Sequence, residues 1–127
     1  MMIETSKQSA VARWGRAGAA YDLVASIAFL TPWTAGWMLD LIGSSVSGTP
    51  SLMLATLFGT VVVMWSIVRW LRPEPLLIAA DTAGRAAFSL WFTWALLNDG
   101  TPALIGFLAL EVAWAVVQLR ALILDRR

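Results

Sequence analysis

Apolar residues in this chain fall in long unbroken runs separated by short polar breaks. Four runs approach 20 residues, the length that crosses roughly 30 Å of hydrocarbon. They extend over about 19–41, 51–71, 76–97 and 102–124. The breaks hold turn formers: Gly43-Ser44-Ser45-Val46-Ser47-Gly48-Thr49-Pro50, then Arg72-Pro73-Glu74-Pro75, then Asn98-Asp99-Gly100-Thr101-Pro102. The runs are too long, and too rich in Ala and Leu, for membrane strands of about 10 residues. Backbone in lipid must also satisfy its own hydrogen bonds, which favours helices. The pattern predicts an all-α integral membrane four-helix bundle with short loops and antiparallel neighbours. Residues 1–18 read as an N-terminal tail or short interfacial segment, 19–124 as the transmembrane domain, and 125–127 as the C-terminus.

Composition strengthens this picture. The chain has 127 residues, 59% apolar and only 13% charged. Soluble domains sit near 45–50% apolar and about 25% charged. A chain this short does not bury enough surface to hide the excess from water, so lipid is the expected solvent. The nine Lys and Arg residues fall on one side of the predicted arrangement. Lys7, Arg13 and Arg16 precede the first span. Arg69, Arg72 and Arg85 surround the middle loop, and Arg120, Arg126 and Arg127 close the chain. The outer two loops hold none. The positive-inside bias places both termini in the cytoplasm, in a bacterial inner membrane. The first run has a basic flank, but it is long, contains Pro32 and lacks a small-x-small cleavage site, so it reads as a retained span. Pro32 predicts a kink.

Polar residues within the spans are the candidate chemistry. A charge at the bilayer centre costs roughly 2.5–3.5 kcal/mol on insertion scales, so such residues pair or face a wet cavity. At about 1.5 Å of rise per residue, Asp22, Arg69, Asp81 and Gln118 lie near the cytoplasmic surface, with Arg85 about 12 Å and Glu111 about 16 Å deep. Asp81, Arg85, Ser89 and Thr93 recur every four residues and form one stripe. Glu111, Trp114 and Gln118 form another, and Ser66 with Arg69 a third. Asp22, Ser26, Phe29, Trp33 and Trp37 form a fourth on the first helix. Inward-facing stripes would line a space that is polar at one end and aromatic above. The spacing predicts an Arg85–Glu111 pair, with Asp81 holding another edge of Arg85 and Arg69 facing Asp22 or Asp81. Three acids then stand against two bases, so one acid is protonated or paired elsewhere. The set serves as a structural charge network, as a ligand or ion site, or, through Glu111, as a contact with a partner protein in the membrane.

There are eight Trp residues. Trp37, Trp70 and Trp94 suit the interfacial belts. Trp33, Trp65 and Trp114 lie deeper and read as bundle packing or as an aromatic lining to a ligand site. Small residues such as Gly36, Gly59, Ala83 and Gly84 permit close helix approach. The chain has no Cys and no His. That removes disulfides, thiol catalysis, zinc fingers and His general bases. No metal-ligand spacing, phosphate loop or nucleophile–base pair is present, so neither metal nor cofactor is expected. A net charge of +1 gives no basis for a nucleic-acid partner.

With four spans, cytoplasmic termini and an acid in the last span, the whole chain resembles the DoxX-like small membrane proteins in architecture. It is also similar to bacterial tetraspan proteins with a Tyr-Asp-Leu opening, a Thr-Pro-Trp-Thr centre and a Glu-x-x-Trp last span. Those residues here are Tyr21-Asp22-Leu23, Thr31-Pro32-Trp33-Thr34, and Glu111 with Trp114. The resemblance implies a fold and no activity. The leading expectation is a non-catalytic accessory or scaffold subunit of an inner-membrane complex, with the bilayer and other membrane subunits as partners. The alternative is a homo-oligomeric binder or transporter of a small amphipathic or lipid-like molecule, using the Glu/Arg/Asp cluster. A membrane enzyme ranks last.

Overall fold

A computed structural model describes residues 9–44 and 48–126. Among them the chain is all helical, with five α-helices and no strand. They are α1 (Ala10–Ser26), α2 (Pro32–Leu41), α3 (Thr49–Leu71), α4 (Pro75–Leu97) and α5 (Ala103–Asp125), with a 3-10 turn over Ile27–Leu30 between the first two. By length and composition, α3 and α5 are apolar enough to cross a membrane. The fourth helix matches them at 23 residues but carries Asp81 and Arg85.

Local chemistry explains the boundaries. Ser9 caps α1 through its Oγ, which accepts from the Ala12 amide at 3.0 Å. A second cap comes from the far end of the chain. The Asp125 carboxylate accepts from the amides of Ala10 (3.2 Å) and Val11 (2.9 Å). The expected span 19–41 is therefore three pieces, its first helix starting at Ala10. At Thr31 the backbone turns extended, and Pro32 opens α2 as its first residue, where its missing N–H costs nothing. The Thr31 Oγ1 accepts from the Thr34 amide at 3.1 Å, so the sequence expected to kink one helix caps a second. Of the predicted tail 1–18, residues 1–8 lie outside the described residues, as does Arg127 at the C-terminus. Residues 10–18 are helical, with Val11, Gly15 and Gly18 buried.

Helix α1 is the hub. It packs on α3 and α5 and more lightly on α4, while α5 packs along α4. The backbones of α3 and α4 stay apart although the shortest loop joins them, and side chains fill the space between. The 3-10 turn crosses α3 at Gly59, where an added Cβ would collide with Phe29. One end of the molecule gathers the start of α1 with the ends of α3 and α5: Arg16 Nε donates to the Trp70 carbonyl at 3.0 Å, beside the Asp125 cap. At the opposite end the two remaining loops meet, Thr101 Oγ1 donating to the Ile42 carbonyl at 3.1 Å. Arg13, Arg16, Arg72, Arg120 and Arg126 belong to the first end, Asp40 and Asp99 to the second.

Inside and outside are reversed relative to a soluble protein. Among the described residues the buried polar set is Ser26, Ser66, Arg69, Asp81, Arg85 and Gln118, as numerous as the buried apolar one. Arg69 and Gln118 are among the largest fully buried side chains. The outer surface carries Val24, Leu54, Val61, Met64, Leu76, Leu90, Trp91 and Leu97, all exposed. A soluble protein buries these types and exposes the charged ones. Exposed and half-exposed hydroxyls turn back on their own helices. Thr56, Thr60, Thr82, Ser89 and Thr93 each donate to the carbonyl four residues earlier, which satisfies them without water.

Candidate functional site

Four helices each contribute to one buried charge network. Its cations come from α3 and α4. Arg69 is the last inward-facing residue of α3, three after Ser66. Its Nη2 lies 2.5 Å from Asp22 Oδ2 and its Nη1 lies 3.2 Å from Asp81 Oδ2. Arg85 is one helical turn past Asp81 on α4, which brings its Nε within 2.9 Å of Asp81 Oδ2. The other two guanidinium nitrogens reach outward to different helices. Nη2 meets Asp22 Oδ2 at 2.6 Å on α1, and Nη1 meets Glu111 Oε2 at 3.2 Å on α5. The planar fork allows one side chain to hold three carboxylates at fixed angles.

Neutral groups complete the network. Trp65 Nε1 donates to Asp81 Oδ1 at 2.8 Å, and its ring lies under the Arg69 guanidinium at 5.7 Å. Gln118 Nε2 donates to Asp81 Oδ2 at 3.0 Å and to Thr82 Oγ1 at 3.1 Å. Asp81 thus accepts from α3, α4 and α5 together. Gly18 on α1 provides the space. A Cβ there would lie 2.7 Å from Gln118 Oε1 and against the Trp114 ring. Trp114 also packs on Tyr21, with ring centroids 5.7 Å apart. Among the described residues, Arg69 Nε, Arg69 Nη1 and Gln118 Oε1 are buried without a hydrogen bond. Among the described residues Glu111 bonds through Oε2 alone, and it is 15% exposed, against 3% for Arg85 and 0% for Arg69.

The six polar residues singled out from the sequence, Asp22, Arg69, Asp81, Arg85, Glu111 and Gln118, are therefore in one place. The Arg85–Glu111 contact is present, and Arg69 faces both Asp22 and Asp81. The Asp22–Arg85 contact was not foreseen, nor was Trp65 as a hydrogen-bond donor to Asp81. Of the three aromatic candidates, Trp65 and Trp114 border the network and Trp33 does not. Trp33 is 82% exposed and lines a surface groove between α2 and α3. The break at Thr31 separates it from the stripe that begins at Asp22, so that stripe does not run on to Trp33 and Trp37. The stripes meet as packed side chains. No group of three or more His, Cys, Asp or Glu residues suited to a metal is present among the described residues.

No protein-family model, curated protein or solved structure matches the chain.

Proposed function

We propose that this chain is a non-catalytic, four-span protein of a bacterial inner membrane, with both termini cytoplasmic, serving as an accessory or scaffold subunit of a larger membrane complex. The observation that carries the reading is the inverted burial: cations and carboxylates inside, large apolar side chains outside. Lipid is the solvent in which that distribution is stable. Helix α4 crosses with its two charges turned inward, and α1 with α2 forms the remaining, broken span. The arginine-rich end is the cytoplasmic one under the positive-inside bias. The charges neutralise one another across four helices, so their role is to fix helix packing. A partner has a place to dock in the groove between α2 and α3, about 780 Å³ and lined by Pro32, Trp33, Trp37, Leu52 and Met53. Trp33 and Trp37 stand exposed there, as contact-rich anchors of membrane interfaces do.

Glu111 favours a second reading, a homo-oligomeric binder or transporter of a small amphipathic molecule. Among the described residues its Oε1 has no hydrogen-bond partner, and the network holds one more acid than base. Native mass spectrometry after gentle extraction from the host membrane separates the two. A partner protein at fixed stoichiometry, released by Trp33→Ala with Trp37→Ala, supports the subunit. A homo-oligomer carrying a small mass that Glu111→Gln removes overturns it in favour of the binder. The absence of native cysteine makes topology directly testable. Glu74→Cys and Asp99→Cys should label from opposite faces of sealed vesicles, and labelling from one face refutes the four-span arrangement.

A further inference from the structure

A second recess lies between α1 and α5 at the arginine-rich end, apart from both the charge network and the α2–α3 groove. Its volume is about 360 Å³, and its walls are Ala10, Arg13, Trp14, Val117, Arg120, Ala121 and Leu124. The chemistry of this wall is divided. Val117, Ala121 and Leu124 give an apolar floor on α5. Arg13 on α1 and Arg120 on α5 are both exposed and stand on its two sides. Neither has a carboxylate partner among the described residues, unlike Arg72, which pairs with Glu74 at 2.6 Å. Trp14 stacks beside Arg13, its ring centroid 5.6 Å from the guanidinium carbon. Among the described residues the neighbouring carboxylate is Asp125, which is occupied by the Ala10 and Val11 amides.

We propose that this recess binds the phosphate headgroup of an anionic phospholipid, with Arg13 and Arg120 clamping the phosphate and the apolar floor receiving the first part of an acyl chain. The proposal rests on the membrane reading above, which puts this end of the bundle at the cytoplasmic headgroup level. Two unpaired guanidiniums on adjacent helices match a phosphate oxygen pair. An aromatic ring with a polar edge suits that depth. A soluble phosphate offers the same oxygens but nothing to cover Val117 and Leu124, and this distinguishes the two sources.

The test is native mass spectrometry of the purified full chain in uncharged detergent. The protein is titrated with dioctanoyl phosphatidylglycerol, dioctanoyl phosphatidylcholine and inorganic phosphate in turn. A single saturable phosphatidylglycerol adduct is expected, with weaker phosphatidylcholine binding and no displacement by inorganic phosphate at matched concentration. Each juxtamembrane arginine contributes about fivefold in affinity for an anionic surface, so Arg13→Ala with Arg120→Ala should weaken the adduct about twenty-fivefold. Arg72→Ala should leave it unchanged. Val117→Trp, which fills the floor and keeps both arginines, should also weaken it and covers the case in which the double variant misfolds. Adduct retained in both the double variant and Val117→Trp, an equal loss in Arg72→Ala, or displacement by inorganic phosphate each overturns the proposal. Release of the wild-type protein from membranes by alkaline carbonate would instead refute the membrane reading itself.

Discussion

Replacing Arg85 with Met keeps an unbranched apolar stem and removes one cation from the centre of the network. Arg85 faces Asp22 at 2.6 Å, Asp81 at 2.9 Å and Glu111 at 3.2 Å. Arg69 remains in the variant and, of the three carboxylates, meets Asp22 and Asp81. Glu111 is left without a cation partner. Breaking a buried pair by removing one partner costs about 3–5 kcal/mol. Glu111 is slightly open to solvent, so the expected loss lies near the lower end, about 3 kcal/mol. That is a large share of the roughly 5–15 kcal/mol that holds a domain folded. An interhelical hydrogen bond in a membrane averages only about 0.6 kcal/mol. The size of the loss therefore separates an uncompensated charge from a lost hydrogen bond. Adding Glu111→Gln removes the orphaned charge, and the double variant should recover about 1 kcal/mol or more, within the range of couplings between contacting residues. The assay is reversible unfolding in mixed micelles, followed by circular dichroism for the wild type, both single variants and the double. A loss under about 1 kcal/mol in Arg85→Met, or strictly additive single effects, would refute the account of a charge network held by Arg85.

Trp65→Phe keeps a ring against Arg69 but deletes the donor to Asp81, and should cost about 0.6–1.7 kcal/mol, the range for interhelical hydrogen bonds in a membrane, in the same unfolding assay. Gly59→Ala places a Cβ 2.6 Å from the Phe29 carbonyl oxygen, so either α3 or the 3-10 turn must move; a loss of about 1–3 kcal/mol is expected, while Gly84→Ala, which meets nothing within 4 Å, should be neutral or stabilising. Asp125→Ala removes the carboxylate that caps α1 and should cost about 1 kcal/mol, read as faster amide exchange at Ala10 and Val11 with little change in α3.

The membership of the network could be read from spacing because helical period fixes which residues of one helix share a face. Asp81 with Arg85, and Glu111 with Gln118, needed nothing more than that. Contacts between helices were less accessible. Asp22 meets Arg85 because α1 runs through the middle of the bundle, and no local pattern states which helix is central. Trp65 looked like any deep tryptophan, since a ring's hydrogen-bond partner belongs to the packing. Trp33 shows the opposite failure. Extrapolating a four-residue stripe from Asp22 to Trp37 assumed 3.6 residues per turn throughout. The 3-10 turn at Ile27–Leu30 winds at about three per turn, and extended Thr31 interrupts the winding altogether. The start of α1 was hidden by its arginines, which read as the flank of a span. Its signals were Ser9 as a cap and Gly15 and Gly18, where Ile78 and Gln118 approach.

The placement of the network on its helices bears on how such a chain is made. In the proposed four-span arrangement, the helices enter the bilayer in order of synthesis. The first brings one acid, Asp22, and the next long helix brings its counter-charge, Arg69. Helix α4 arrives already neutral, because Asp81 and Arg85 are paired one turn apart on the same helix. Glu111 comes last, on α5, when Arg85 is in place to receive it. At every stage of translation the nascent bundle holds at most one unmatched charge of this set in lipid. Exchanging Arg69 with Asp81, or Asp22 with Arg85, would place two like charges in lipid before their partners arrive while leaving the finished network chemically equivalent.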